Sequence, residues 1–244
     1  MLVDTNTNEM PKKMTTQPVH VGSSVIGIKY DKGVIIAGDD RINVYGYKKY
    51  INVCRIAPVN QKTIMGSSGE YSDFQELNRL LVEKTNEDDL YNGSNSFLGP
   101  KEISNYLSYI CYEKRSKMDP YWNTTIIGGL DDQNKPVLYS VDQFGTKYTA
   151  DYLVSGFALY FAGPIIDKHL GSSLSKQKAL ALLEDVFKVL FYRDASAGDR
   201  IYFGILEDVD GVPQFDLLKK KLETKWEYEM FSGHQNQKYH PTVN

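Results

Sequence analysis

The sequence predicts an α+β fold: a four-layer αββα sandwich in which two antiparallel sheets pack face to face and a helix pair covers each sheet from outside. Two observations lead to this prediction. Apolar residues follow the pattern of strands, then switch to helical spacing, and this switch occurs twice along the 244 residues. The resulting order (strands, two helices, strands, two helices, strands) groups like elements together, whereas parallel α/β folds alternate them.

Local patterns predict the elements of the first half. β-branched apolar runs predict three strands, at residues 24–30, 33–38 and 62–67. The first two flank the turn Asp31-Lys32 and form a hairpin. Ser72, followed three residues later by Gln75, is typical of a capping box and predicts the start of a helix. Pro100 predicts the first turn of a second helix.

The second half repeats this order. Apolar runs predict strands at residues 123–130, 136–141, 146–149, 200–207 and 212–218. Helical spacing predicts two helices before the last two strands, at residues 153–170 and 175–192. Gly163-Pro164 interrupts the first of these helices. One domain is expected at residues 16–222, preceded by an extension or propeptide at 1–15 and followed by a polar tail at 223–244.

Composition excludes several classes of protein. The net charge is −3 and no basic patch is evident, which argues against nucleic acid as a partner. No apolar run has the roughly 18 residues of a membrane span, and the first residues lack the apolar core of a signal peptide. Cys54 and Cys111 suit a reducing compartment and are expected to be core residues. His234 and His240 lack carboxylate or cysteine companions, so no metal site is expected. Together these observations lead us to expect an intracellular, soluble protein without metal or cofactor.

Several segments, in the right order, resemble beta subunits of the 20S proteasome. Three of them are Gly33–Asp39, Gly66-Ser67-Ser68-Gly69 with Asp73 after it, and Leu190-Phe191-Tyr192-Arg193-Asp194-Ala195. Two more resemble the seventh beta position in particular: Arg115-Ser116-Lys117-Met118-Asp119-Pro120-Tyr121-Trp122-Asn123 and Thr16-Gln17-Pro18. The resemblance covers roughly residues 15 to 230 and implies the N-terminal nucleophile hydrolase fold, which is a four-layer sandwich of the kind predicted above.

The resemblance also implies partners. Beta and alpha subunits of the family form a hetero-oligomeric core of twenty-eight subunits, which works in ubiquitin-dependent protein degradation in the cytoplasm and nucleus. The seventh beta position is non-catalytic, so a structural role in assembly is expected. Processing is expected between Thr15 and Thr16, and the tail is expected to reach the opposite beta ring with Trp226 as an interface anchor.

Active members of the family use a threonine freed at the chain start. Its own α-amine takes the hydroxyl proton, which an amide nitrogen cannot do. Counted from Asp39, which matches the family's aspartate, the nucleophile position falls on Ser23 and the lysine position on Arg55. An arginine side chain stays charged and cannot exchange a proton at neutral pH. The sequence therefore predicts a vestigial site.

The remaining positions of that site are mixed. Ser155 and Asp194 match two supporting residues of the family, whereas a supporting serine is replaced by Ala197. For Asp39 a structural role is favoured, as an ion-pair partner of Arg55 or Arg41. The rival function is an active Ser-type peptidase, which needs a cut between Gly22 and Ser23. A third hypothesis is an unrelated α+β domain.

A run of tyrosines interleaved with lysines offers a possible contact surface. Tyr45, Tyr47 and Tyr50 alternate with Lys48 and Lys49. Such a run can contact nucleic acid, but tyrosine is enriched at protein interfaces. We therefore favour a loop that packs on a neighbouring subunit.

Overall fold

The computed structural model describes residues 17–93, 98–169 and 174–225 and has the predicted four layers. In chain order the strands are β1 (His20–Gly22), β2 (Val25–Tyr30), β3 (Gly33–Asp39), β4 (Ile42–Val44), β5 (Tyr47–Tyr50), β6 (Ile56–Asn60), β7 (Thr63–Glu70), β8 (Asn123–Leu130), β9 (Pro136–Val141), β10 (Lys147–Thr149), β11 (Tyr152–Ser155), β12 (Arg200–Val209) and β13 (Val212–Lys221). The helices are α1 (Tyr71–Asn92), α2 (Pro100–Ser116), α3 (Ala162–Asp167) and α4 (Lys176–Arg193).

Two antiparallel sheets form the centre of the molecule. The first sheet has the order β10-β9-β8-β7-β1-β4-β5, with β6 also paired to β7, and the second has the order β11-β2-β3-β12-β13. Fully buried side chains fill all three spaces between layers. They include Ile36 and Ile126 between the sheets, Leu77 and Leu107 beneath α1 and α2, and Leu183 beneath α4. The central strands of each sheet thus bury both faces, as the predicted sandwich requires.

One predicted helix, at residues 153–170, is wrong in its first half. That segment begins as strand β11, which pairs with β2, continues as a 3-10 turn at Gly156–Tyr160, and becomes helical only in α3. Leu153 and Ser155 are buried on one face of the strand, so the period here is two rather than 3.6. The interruption expected at Gly163-Pro164 falls instead at the start of α3, where proline is tolerated.

The predicted capping box is also wrong, although α1 starts where it was expected. Glu70 occupies the N-cap position without a side-chain cap bond, and the Ser72 hydroxyl donates to Oε1 of Glu70 at 3.1 Å. Glu70 is buried and faces the other way, toward β1. The short strands β1, β4, β5 and β6 were not predicted, and the tyrosine run expected as a loop contains β5.

Strand β1 is held in the first sheet by this glutamate. It lies between β4 and β7, with Val21 opposite both Asn43 and Glu70. Oε2 of Glu70 accepts the N–H groups of Val19 and His20 at 2.5 and 2.8 Å. Burial acts to raise the pKa of Glu70, but these N–H groups and the Ser72 hydroxyl together hold the pKa below its usual value. The ionised carboxylate therefore anchors the segment that enters β1.

We predict that Glu70→Gln lowers the free energy of unfolding by about 1–3 kcal/mol at pH 7, because a charged acceptor of two buried N–H groups is lost. A depressed folded-state pKa gives stability that is present above the unfolded value of about 4.3 and disappears as pH falls through the folded pKa. The difference between the variant and the original chain should therefore shrink below about pH 4. Urea unfolding of both chains at pH 7 and below pH 4 measures this difference.

Glu87→Gln is the matched control for this prediction. Glu87 lies on α1 in an exposed ion pair with Lys84, so its loss should change the free energy of unfolding by less than about 0.5 kcal/mol. A Glu70→Gln deficit that stays the same from pH 7 to well below pH 4 would rule out the charge as its cause.

Candidate functional site

Ser23 lies where the chain crosses from one sheet to the other. β1 of the first sheet ends at Gly22 and β2 of the second sheet begins at Val25, so residues 23 and 24 bridge the sheets. Ser23 is half-buried and lines a groove of about 820 Å³, together with Ser68 of β7, Asp194 after α4 and other residues of the first sheet and nearby loops. The position that the family resemblance assigns to the nucleophile therefore faces an open cleft.

The side chain of Arg55 contacts several backbone segments that meet at this crossing. Its side chain is only 1% exposed. Nη1 donates to the carbonyls of Ser23 and Ser67 at 2.9 and 3.1 Å, and Nη2 donates to the carbonyl of Ser24 at 3.2 Å. Nη2 also contacts both the carbonyl and the carboxylate of Asp39. The guanidinium thus binds the backbone around Ser23 rather than its hydroxyl.

Asp39 is the buried partner of this cation. Its carboxylate ion-pairs with Arg55, as the structural hypothesis expected, and Oδ2 accepts the N–H of Gly198 at 2.7 Å. Burial raises the pKa of the Asp39 carboxyl, and contact with Arg55 and the Gly198 N–H opposes that rise. The other partner considered, Arg41, pairs with Asp199 at 3.4 Å instead. Gly22 leaves room for the arginine, because a Cβ there would overlap the Arg55 side chain.

The hydroxyl of Ser23 has a different partner. Oγ donates to Oδ2 of Asp194 at 2.5 Å, and Oδ1 of Asp194 accepts the N–H of Ser196 at 2.7 Å. Ala197 follows in the same turn, where its N–H donates to the carbonyl of Asp194 at 3.1 Å. Ala197 has no hydroxyl, so its side chain adds no polar group beside Ser23. A carboxylate, and not a cation, therefore orients the candidate nucleophile.

The nitrogen of Ser23 belongs to the peptide bond with Gly22. Its lone pair is delocalised into the carbonyl, so this nitrogen is a planar amide and not a base. Gly22 pairs with Ile42 of β4 and Gly69 of β7, which places the acyl group inside the first sheet. In the continuous chain, no α-amine stands next to the Ser23 hydroxyl.

Ser155 supports the crossing from the second sheet. Its buried hydroxyl donates to the carbonyl of Val25 at 3.1 Å. Gly156 follows with a φ of +66°, a left-handed conformation that favours glycine, and packs against the backbone of Ser23 and Ser24. All six positions assigned from the sequence thus meet at one end of the sandwich. Their vestigial character remains a prediction.

Among the other candidate residues, Tyr45 lines this groove, whereas Cys111 does not. Burial raises the pKa of the Cys111 thiol to about 12, so the thiol is protonated at neutral pH, in agreement with the expected core role. Tyr45 and Tyr47 are 72% and 79% exposed on the hairpin of β4 and β5. Thr15, Thr16, Trp226, His234 and His240 lie outside the described residues.

Two negative findings apply to the described parts of the chain only. No group of three or more histidine, cysteine, aspartate or glutamate side chains there could hold a metal ion. No helix there is both long and apolar enough to cross a membrane.

Sequence reasoning missed two groups that build the site. Glu70 ends a strand and follows a Ser-Ser-Gly segment, which gives no sign that its carboxylate turns back toward β1. Gly198 contributes a backbone N–H, which every residue except proline carries. Only the folded chain reveals either contact.

Comparison with known proteins identifies the family. A family model described as "Proteasome subunit" matches residues 19–206. "Proteasome subunit beta type-4" of Arabidopsis thaliana is 36% identical, over 91% of this chain and 89% of that protein. "Proteasome subunit beta type-4" of Xenopus laevis is 36% identical over 89% and 88% of the two chains, and "Proteasome subunit beta type-7" of Saccharomyces cerevisiae is 32% identical over 91% and 86%. The chain therefore belongs to the proteasome beta-subunit family.

Proposed function

We propose that this chain is a non-catalytic structural subunit of the 20S proteasome core particle, needed for assembly of the beta ring and for joining of half-particles. The observation that carries the proposal is Arg55 at the family's lysine position, where its buried guanidinium binds backbone carbonyls and Asp39 instead of the Ser23 hydroxyl. The beta type-4 relatives support the same role. Work in ubiquitin-dependent degradation, in the cytoplasm and nucleus, is part of this proposal.

Two independent features disfavour catalysis. The first is the base: the family's nucleophile needs a free α-amine, and if the chain is cut between Thr15 and Thr16, as expected, Ser23 keeps an amide nitrogen. The second is Arg55, which stands at the lysine position but cannot exchange a proton. Its two Nη atoms already donate to backbone carbonyls and to Asp39. Either feature alone would impair proton transfer at Ser23.

One observation favours the rival, an active Ser-type peptidase. The Ser23 hydroxyl lies 2.5 Å from a carboxylate and lines an open groove, so it is accessible and oriented. This enzyme requires a cut between Gly22 and Ser23. Such a cut would leave β1 held only by its pairing with β4 and β7 and by Glu70. The two functions therefore differ in where the mature chain begins.

We predict that the mature chain in the purified particle begins at Thr16 and that an electrophilic peptide inhibitor leaves Ser23 unlabelled. N-terminal sequencing and intact-mass measurement give the first result, and peptide mapping after inhibitor treatment gives the second. Catalytic subunits of the same particle, labelled at their own nucleophiles, serve as the positive control. A chain that starts at Ser23 and carries the inhibitor there would establish the peptidase instead.

We predict that Arg55→Met lowers the free energy of unfolding by about 3–5 kcal/mol, because the carboxylate of Asp39 is left buried without its cation. Arg55→Lys should keep the charge, break most of the hydrogen bonds to carbonyls and still leave Ser23 unlabelled by the inhibitor. Arg79→Met, which breaks only exposed ion pairs on α1, should leave the urea midpoint nearly unchanged. Urea unfolding and peptide mapping measure these effects; inhibitor bound to Ser23 in the lysine variant would contradict the second expectation.

We predict that truncation after Leu222 weakens the joining of half-particles more than it weakens folding. Leu222 is buried in the core, where its N–H donates to the carbonyl of Asp199, whereas Glu223 after it is exposed. Thermal unfolding of the truncated chain should shift little, and native gels should show accumulated half-particles. Trp226→Ala tests the expected anchor alone. Normal joining by the truncated chain would remove the tail from the proposal.

A further inference from the structure

A cationic surface forms where β12, β13 and the segment before Arg55 meet. Arg41, Arg200, Lys219 and Lys221 are brought together there, far apart in the sequence. The sequence analysis found no basic patch, which was wrong for this part of the fold. Only two carboxylates, Asp40 and Asp199, form ion pairs with these four side chains among the described residues. The group therefore carries an excess of positive charge.

Two of these cationic side chains converge on the side chain of Asn52. Oδ1 of Asn52 accepts from Nη1 of Arg200 at 2.8 Å and from Nζ of Lys219 at 2.7 Å. Its backbone has a φ of +64° and is fixed by a hydrogen bond from its N–H to Asp40 at 3.2 Å. A neutral amide oxygen cannot neutralise two cations that converge on it. A carboxylate beside it would offset one of the two charges.

The local carboxylates do not fill this role. Asp40 is 1% exposed, and its nearest contact with Arg200 is 3.8 Å. Asp199 is shared between Arg41 at 3.4 Å and Lys221 at 4.0 Å. In the described part of the chain, Lys219 makes no ion pair within 4.0 Å. The charge of Lys219 thus remains available to a partner.

Apolar side chains extend the same face of the sheet. Side chains of a strand alternate between faces, so Phe215 and Leu217 share the face of Lys219 and Lys221 on β13. Phe215 and Leu217 are 36% and 43% exposed, and β13 is the edge strand of the second sheet. On the opposite face Lys220 pairs with Glu184 of α4 at 2.5 Å. This face thus has a cationic half next to an apolar half.

We propose that this β13 face, formed by Arg200, Lys219, Lys221, Phe215 and Leu217, docks an acidic segment of a neighbouring proteasome subunit. An aspartate or glutamate of that subunit lies against Lys219 and Lys221, beside the Asn52 amide, and an apolar side chain next to it packs on Leu217. Charge complementarity of this kind guides subunit pairing. The proposal rests on the chain acting as an assembled subunit.

Neither nucleic-acid binding nor simple protection of the sheet edge fits this surface as well. Nucleic acid is disfavoured because the chain carries a net charge of −3 and half of this face is apolar. Lysines on an edge strand also prevent strand pairing by remaining solvated and spread apart. Here Lys219 instead converges with Arg200 on one oxygen and lies 4.8 Å from the ring centre of Tyr202. The side chain is pre-positioned rather than spread.

Zero-length carbodiimide cross-linking of the purified particle tests the contact directly. The reagent joins an ammonium to a carboxylate in contact by an amide bond and itself takes up the water released. We expect a link from Lys219 or Lys221 to an aspartate or glutamate of another subunit. The Lys220–Glu184 link within the chain shows that the reagent has access to the same strand.

The cross-linking result can overturn the proposal cleanly. If the Lys220–Glu184 link forms while Lys219 and Lys221 make no intersubunit link and are acetylated as fast in the particle as in the free chain, this face is solvated and the proposal fails. Nuclease treatment that exposes these lysines would assign the face to nucleic acid instead, which also overturns it. Recovery of the chain in the high-mass particle is scored separately and reports on the proposed function.

Matched variants measure how much the face contributes. In competition with the original chain, the double variant Lys219→Gln, Lys221→Gln should enter the particle less well, by up to about five-fold for each positive charge removed. Lys220→Gln, on the opposite face of the same strand, should compete equally. Thermal unfolding of the free chains should be similar for all of them, which separates docking from folding. Equal incorporation of the double variant would contradict the proposal.

Discussion

The buried guanidinium of Arg55 is the interaction on which the candidate site depends. It takes carbonyl acceptors from the crossing segment at Ser23 and from β7 of the first sheet, and a carboxylate from Asp39 at the end of β3 in the second sheet. A buried cation needs a carboxylate and hydrogen-bond acceptors to offset the loss of water, so these three backbone segments must stay together. Arg55 thereby joins the two sheets at the end where the chain passes between them.

The same contacts account for the proposed loss of chemistry. A lysine at this position would present one compact ammonium, able to lie beside a hydroxyl and to exchange protons when its pKa is lowered. Arginine spreads its charge over a planar fork, and here the fork is directed at carbonyl oxygens instead of at Oγ of Ser23. Gly22 leaves the space that the longer side chain needs. In the proposed role, stability and inactivity therefore arise from one residue.

The fold could be predicted where the patterns are long. The hairpin of β2 and β3 and the helices α2 and α4 were found because many apolar residues share one period. Strands β1, β4 and β11 have only three or four residues, and neighbouring strands stabilise them more than their own sequence does. Site positions could be counted from Asp39 because the family resemblance implies their spacing. The role of Glu70 could not be predicted, since its backbone partners carry no sequence signal.

Strand β1 closes the first sheet at the end near Ser23. This leaves the edge of the second sheet as the surface open to a neighbouring subunit. β1 fills the space between β4 and β7, and Glu70 satisfies the N–H groups that lead into it, so the first sheet offers no unpaired position there. The second sheet, in contrast, ends in β13, a ten-residue edge strand whose charged and apolar halves are exposed. A long edge strand is prone to unwanted pairing unless it is charged or covered. In an assembled subunit, a neighbouring subunit can cover this edge strand. In the proposed docking, the cations converging on Asn52 select that neighbour by charge.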